Sequence, residues 1–147
     1  MKDSTIAEQL LRDGYVLTQS MGVSMRPMLT QQTEQLLIQT PKDKLKRNDV
    51  VLYRRRNGQY VLHRIVRVRG DRYGIRGDNC YGKPENVSSR QVIGILKGFY
   101  RGEKFIDCRE NKGYRIYVLL WRATYPLRLA YHRCRELLCG VVRKLRR

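Results

Sequence analysis

The chain has 147 residues, of which 41% are hydrophobic, and its formal net charge is +18. This length and apolar content suit one folded domain with a modest core and exclude wholesale disorder. The charge predicts attraction to acidic or phosphate-bearing partners, such as nucleic acid, anionic lipid headgroups or acidic peptides.

Membrane-spanning and secreted proteins are disfavoured by the apolar pattern. The longest apolar run, Ile116–Trp121, is far shorter than the roughly 20 residues of a membrane-spanning helix. No secretory signal peptide is visible, because the first 18 residues contain acids and lack a continuous apolar region. We therefore expect a cytoplasmic protein whose contact with a membrane is peripheral, at the inner face.

The N-terminal part predicts a short helix followed by a turn that contains a serine. Apolar side chains recur at helical spacing over residues 4–13, and Ser4 or Thr5 can cap the helix. An extended segment at 15–18 then leads into Gly-Val-Ser-Met-Arg-Pro-Met, residues 22–28. The proline suits the first turn of a short helical segment, where no backbone N–H is needed.

The middle of the chain predicts short strands. They are rich in β-branched or aromatic residues and occupy residues 35–38, 50–53, 60–68, 72–76 and 91–97. The gaps hold turn residues, and Asn57-Gly58 is the clearest hairpin signal. Many short strands at close spacing predict a mainly β fold, a small curled antiparallel sheet or barrel.

From Tyr114 onward the pattern becomes helical and strongly basic. Residues 114–147 contain nine Lys or Arg and one Glu. Their apolar stripe has spacings of three and four and consists of Leu127, Tyr131, Cys134, Leu138, Val141 and Leu145. We predict a β domain at 1–113 and a basic amphipathic helical tail at 114–147. The tail either docks on the sheet or lies at an anionic membrane surface.

The four cysteines give no clear metal or disulfide pattern. Cys80, Cys108, Cys134 and Cys139 form no CxxC pair. His132 lies close to two of them in sequence, but the spacing matches no usual zinc site. Reduced thiols in a cytoplasmic protein are the better interpretation, and we predict neither a metal nor another cofactor.

Three residues carry the side chains that activate a serine for nucleophilic attack. Ser24 supplies a hydroxyl, His63 a base and Asp78 an acid that can orient the base. Each signal is weak alone, since serine and Gly-Asp-Asn are ordinary turn residues and a lone strand histidine is usually structural. The backbone N–H of Met25, at the start of a helical turn, is the candidate donor to an oxyanion.

The strand around His63 favours the neutral form that a base requires. Val61 and Ile65 share its face of the strand. Arg64 and Arg67 are its basic neighbours, and we expect their charges to lower the pKa of His63.

Five motifs occur in an order that resembles the signal peptidase family and its relatives, the self-cleaving repressor-type peptidases. The resemblance covers residues 15–97, and its motifs are Gly22-Val-Ser24-Met25-Arg-Pro27, Asn48-Asp-Val-Val51, Leu62-His63-Arg64-Ile65, Arg76-Gly77-Asp78-Asn79 and Val92-Ile-Gly94. It implies a mostly β fold and hydrolysis of a peptide bond by a serine.

The resemblance also implies roles for individual residues. Bacterial family members have a lysine base where this chain has His63, so the histidine is similar to the endoplasmic-reticulum type. Ser24 would be the nucleophile, His63 the base and Asp78 the group that orients or polarises it. Many members carry a second serine two residues before the nucleophile, whereas this chain has Gly22.

The sequence predicts a serine endopeptidase acting on a peptide or protein substrate, and two alternatives stay open. Gly22 removes one expected oxyanion donor, so a pseudo-peptidase that binds peptides without cutting them is the first. A nucleic-acid-binding module is the second, supported by the charge, by Arg54–Arg56 and by the tyrosines. It is the weaker alternative, because no nucleic-acid-binding motif occurs.

Overall fold

The computed structural model describes residues 5–19, 22–30 and 34–145, with the backbone alone over 140–145. Its helices are α1 (Ile6–Asp13), α2 (Lys112–Ala123) and α3 (Tyr125–Leu145). Its strands are β1 (Tyr15–Gln19), β2 (Gln35–Gln39), β3 (Val50–Arg54), β4 (Tyr60–Arg69), β5 (Arg72–Arg76), β6 (Glu85–Ser88), β7 (Val92–Arg101) and β8 (Lys104–Asp107). A 3₁₀ turn at Ser89–Gln91 precedes β7.

All the strand pairs in the described residues are antiparallel, and they form one sheet. The order across the sheet is β1-β2-β7-β3-β4-β5-β6, and β8 pairs with the distal half of β7. The mainly β prediction is confirmed. Of the two forms expected, the sheet is present and the barrel is not, because the sheet does not close.

Local sequence explains the first elements. Thr5 caps α1 in a capping box with Glu8, while Ser4, the other candidate cap, lies outside the described residues. Asn57-Gly58 lies in the connection between β3 and β4, with Gly58 at φ 85°, a conformation that glycine adopts without steric cost. β6 and β8 were not predicted, since four-residue strands with few apolar side chains form only when a neighbouring strand pairs with them.

Both faces of the central strands are buried in separate hydrophobic clusters. On β3, Val50 and Leu52 join a first cluster, together with α1 and the segment after Ser24. Val51 and Tyr53 point to the opposite face and join a second cluster with β4, β5 and β6. The side chains of β4 therefore alternate between the two faces of the sheet. His63 and the next residue, Arg64, consequently lie in different surroundings.

The C-terminal region is two helices and not the single helix that was expected. α2 ends at Ala123 and α3 begins at Tyr125, with Pro126 in its first turn. The boundary at 113/114 stays a prediction, but Tyr114 and Val118 of α2 are buried in the first hydrophobic cluster. The expected stripe of α3 faces solvent where it is described, since Leu127 is 73% and Leu138 67% exposed. Residues 146–147 of the predicted tail lie outside the described residues.

None of the three helices in the described chain has both the length and the apolar character needed to span a membrane.

Candidate active site

Ser24 and His63 meet although 39 residues separate them in the sequence. The Nε2 atom of His63 lies 3.0 Å from the Oγ atom of Ser24, within hydrogen-bonding distance. Both residues are partly buried. β4 holds His63 opposite Val51 of β3, and Val61 and Ile65 pack on the same side as predicted. The structure therefore brings two of the three predicted side chains together.

The segment after Ser24 is a tight turn anchored by its apolar side chains. Leu29 N–H donates to the carbonyl of Met25 at 3.1 Å, and the Arg26–Pro27 peptide bond is cis. This bond between residues four apart closes the one helical turn that the sequence predicts over residues 25–29. Met25 and Leu29 are buried in the first hydrophobic cluster, so the turn is anchored to the core.

The loop after β5 holds the serine turn from the other side. Asn79 N–H donates to the backbone carbonyl of Ser24 at 2.8 Å. Gly77 lies so close that a Cβ atom there would be 2.6 Å from the Ser24 carbonyl oxygen and 3.0 Å from His63 Nε2. Real Cβ atoms essentially never approach another heavy atom to less than 3.0 Å. Glycine at this position therefore permits the close approach of loop, turn and imidazole.

Asp78 does not make the contact with His63 that was expected. Its carboxylate accepts two hydrogen bonds from Arg64, both at 2.7 Å, and one from the Tyr117 hydroxyl at 3.0 Å. No hydrogen bond joins Asp78 to His63 in the described part of the chain. The reason is the alternation along β4, which directs neighbouring side chains to opposite faces. Asp78 meets Arg64 and acts on His63 only through its charge.

The pair of Asp78 and Arg64 is buried, with each side chain 3% exposed. Burial by itself lowers the pKa of Arg64, but the hydrogen bonds and charge of Asp78 raise it above its ordinary value. Arg64 also donates to the Tyr114 hydroxyl at 3.1 Å. Trp121 donates to the backbone carbonyl of Asp78 at 3.0 Å. The Asp78 loop is therefore attached to β4 and to α2.

His63 is held in its neutral form by burial. Burial lowers the pKa of His63 below its usual 6.5, and the positive charge of Arg55 lowers it further. The charges of Glu85 and Asp78 oppose this shift. Arg55, and not the predicted Arg64 and Arg67, is the cation that acts on the imidazole.

The sequence did not predict that Tyr53, Arg55 and Glu85 form an interacting group near His63. The Tyr53 hydroxyl donates to Glu85 at 2.7 Å, and Arg55 donates to the same carboxylate at 2.8 Å. The Tyr53 ring centroid lies 6.3 Å from that of His63. Glu85 lies in the unpredicted strand β6, so its sequence context gave no signal. In the sequence, Arg55 stands out only as part of the basic run at residues 54–56.

The backbone N–H of Met25 is the predicted oxyanion donor. Within the described residues, no hydrogen bond uses the backbone N–H of Met25. Gly22 contributes no side-chain donor, and its φ of 87° lies in the left-handed region. The backbone N–H of Met25 is therefore available as a donor, and residue 22 adds no side-chain donor.

The described part of the chain contains no group of three or more His, Cys, Asp or Glu side chains arranged to bind a metal ion. Cys134 and Cys139 are exposed free thiols. His132 stacks on Tyr81, with the ring centroids 4.5 Å apart, and lies 3.6 Å from Glu136. Burial raises the pKa of the Cys108 thiol to about 12, so this sulfur stays protonated.

Neither a protein-family model nor a curated protein sequence matches this chain. Any assignment of function therefore depends on the arrangement of the site itself.

Proposed function

We propose that the protein is a serine endopeptidase of the signal-peptidase type, with Ser24 as nucleophile and His63 as general base. The observation that carries the proposal is the separation of 3.0 Å between Ser24 Oγ and His63 Nε2. A neutral imidazole with its proton on Nδ1 accepts the serine proton at Nε2. The lowered pKa of His63 keeps this form abundant near neutral pH.

The reaction proceeds through an acyl-enzyme. Ser24 Oγ attacks the carbonyl carbon of the scissile peptide bond while its proton passes to His63. The Met25 backbone N–H donates to the oxygen that becomes negatively charged. His63 then gives the proton to the leaving amine as the C–N bond breaks. Water attacks the Ser24 ester with His63 as base, which releases the new carboxyl group and regenerates the serine.

Asp78 acts as a positioning residue in this proposal. It contacts Arg64 and Tyr117 and not the imidazole. Its loop also donates from Asn79 N–H to the Ser24 carbonyl. Asp78 thereby fixes the loop that supports the serine turn, and its loss would disturb catalysis by displacing Ser24.

The proposed substrate is a peptide or protein met at the inner face of a membrane. The support is the exposed apolar side chains of α2 and α3, which include Leu119 and Leu127 on helices rich in arginine. Such helices lie in a membrane interface with their cations near anionic headgroups. The protein would then be a cytoplasmic enzyme attached peripherally.

The test is cleavage of a degenerate peptide library, read by mass spectrometry. Ser24→Ala and His63→Ala are each expected to reduce cleavage by about 1,000-fold or more, because nucleophile and base act as a unit. Ser89→Ala is the matched control, because Ser89 is exposed and its side chain makes no hydrogen bond in the described structure. It should cleave like the parent.

Two outcomes would contradict the proposal. If Ser24→Ala cleaves as fast as the parent, Ser24 is not the nucleophile. If the parent retains library peptides without cutting them, and Ser24→Ala retains the same peptides, the protein is a pseudo-peptidase. Gly22, which supplies no side-chain donor to an oxyanion, is the observation that makes the second outcome worth measuring.

A further inference from the structure

A cavity of about 360 Å³ lies where α2 and α3 meet the edge of β4 and β5. It is separate from the hydroxyl and imidazole of the candidate active site, although Gly77 and Asp78 form part of its wall. Its remaining wall is dominated by cationic and aromatic side chains, namely Arg47, Arg76, Arg122, Arg128, Trp121 and Tyr125.

Three arginines of this cavity have no anionic partner among the described residues. No carboxylate in the described part of the chain lies within 4.0 Å of the guanidinium groups of Arg47, Arg76 and Arg122. The one carboxylate in the wall, Asp78, is engaged by Arg64. The same three guanidinium groups make no hydrogen bond to any described residue. A bound anion would supply a negative charge and hydrogen-bond acceptors to these three guanidinium groups.

The cations are crowded together in a partly desolvated place. Burial lowers the pKa of Arg76, and the charge of Arg128 adds to this effect, while Tyr125, Cys80 and Asp78 oppose it. Burial also lowers the pKa of Arg122, with a further contribution from Arg47. Like charges held close together without a counter-ion are destabilising, so a ligand that neutralises them gains affinity from relief of this repulsion.

Aromatic rings hold two of the guanidinium groups in fixed planes. The Arg76 guanidinium lies 3.7 Å from the Tyr125 ring centroid, and that of Arg128 lies 3.4 Å from the Trp121 centroid. Stacking restricts the rotation of the arginine side chain before any ligand arrives. Arg128 also donates to the backbone carbonyls of Trp121 and Asp78, so of these two groups Arg76 is the one better able to bind a phosphate oxygen pair.

Apolar side chains in and near the cavity wall are exposed to solvent. Leu119, which forms part of the wall, is 68% exposed, and its neighbours Ile116 and Leu120 are also exposed. Leu127 continues this exposed apolar character on α3. A small anion such as free phosphate would leave these side chains in water, whereas a lipid would cover them.

We propose that this arginine cavity binds the phosphate group of an anionic membrane phospholipid, while the exposed leucines and Ile116 contact the acyl-chain region. This inference rests on the membrane contact proposed above and not on peptide hydrolysis. It assigns a defined lipid site to a surface that would otherwise attract membranes only through diffuse charge.

Trp121 provides a direct readout, since it is the one tryptophan of the chain and forms part of the cavity wall. We would titrate the full chain with phosphatidylcholine vesicles containing phosphatidylglycerol and follow the tryptophan emission. Arg122→Gln and Arg47→Gln are expected to raise the lipid concentration at the midpoint by about 10- to 100-fold, the effect of losing charge-assisted hydrogen bonds. Neither side chain makes a hydrogen bond in the described fold, so both variants should fold.

Arg115→Gln is the matched control, because Arg115 lies on the same helix and outside the cavity. Its loss of one charge should raise the midpoint by no more than about fivefold, as for a diffuse surface cation. Equal shifts for Arg115→Gln and Arg122→Gln would overturn the lipid site while leaving membrane attachment intact. If the parent protein neither pellets with these vesicles nor changes its emission, the membrane contact itself is wrong. Peptide cleavage is measured separately and does not depend on either result.

Two other ligands are tested in the same assay. Inorganic phosphate that saturates the emission change at the same phosphate concentration as the vesicles would show a free-phosphate site. A single-stranded oligonucleotide that does so at a lower phosphate concentration would show a nucleic-acid site. Either result overturns the assignment to a phospholipid.

Discussion

At the scale of single residues, Gly77 controls how closely the loop after β5 approaches Ser24. A methyl group there would lie 2.6 Å from the Ser24 carbonyl oxygen, a backbone atom that moves only if the turn moves. We expect Gly77→Ala to reduce kcat/KM for peptide cleavage by about 100-fold, because a displacement of about 1 Å in a catalytic group has an effect of this size. Gly82→Ala is the control, since a Cβ at Gly82 meets nothing within 4 Å. Full activity in Gly77→Ala would show that the loop does not position the serine.

The protonation of His63 is a second property of a single residue. Because burial and Arg55 lower its pKa, kcat/KM should rise with pH and level off, with an apparent pKa below 6.5. Arg55→Gln should raise the pKa of His63 and so move the rising part of this profile to higher pH. The substitution removes the cation and leaves the negative charge of Glu85 without its Arg55 partner. Arg56→Gln, an exposed neighbour, should leave the rising part unchanged. Identical profiles for Arg55→Gln and the parent would exclude this electrostatic role.

The same shift affects stability in a definite direction. The unfolded chain binds a proton at His63 more readily than the folded chain does. Neutral His63 therefore contributes its full stabilisation above pH 6.5. As the pH falls from 6.5 toward the lower pKa that His63 has in the folded chain, this contribution to the free energy of unfolding is lost.

At the scale of elements, the Asp78–Arg64 pair joins the loop after β5 to β4 and α2. Asp78→Asn leaves Arg64 as a buried charge without its counter-ion, so we expect the free energy of unfolding to fall by about 3–5 kcal/mol. Asp43→Asn removes an exposed partner of Arg109 and should cost about 0–1 kcal/mol. Urea denaturation compares the two variants. Equal losses would mean that the buried pair does not stabilise this junction.

At the scale of the whole molecule, α2 has two faces with different roles. Tyr114 and Val118 complete the first hydrophobic cluster, whereas Ile116 and Leu119 point into solvent. Deleting residues 114–147 would therefore remove part of the core together with the proposed membrane surface. Substitutions on the outward face and in the arginine cavity separate these two effects, while a truncation cannot.

Much of the fold follows from local sequence. Helix α1, five of the strands and the turn at Asn57-Gly58 form where their side-chain pattern and turn residues predict them, because these signals act between near neighbours. The order of motifs also predicted that Ser24 and His63 would meet, and they lie 3.0 Å apart. Alternation along β4 was enough to place Val61, His63 and Ile65 on one face.

The partners of these residues depend on contacts that no local pattern encodes. Asp78 and Arg64 are 14 residues apart, and the partner of Tyr53 lies in a strand formed only by pairing with β5. Alternation places Arg64 and His63 on opposite faces, but only the packed loop and α2 decide which of them meets the carboxylate. The arginine cavity likewise exists because α2 and α3 pack beside β4 and β5. Local propensity acts over a few residues, whereas burial and charge pairing depend on which distant segments the fold brings together.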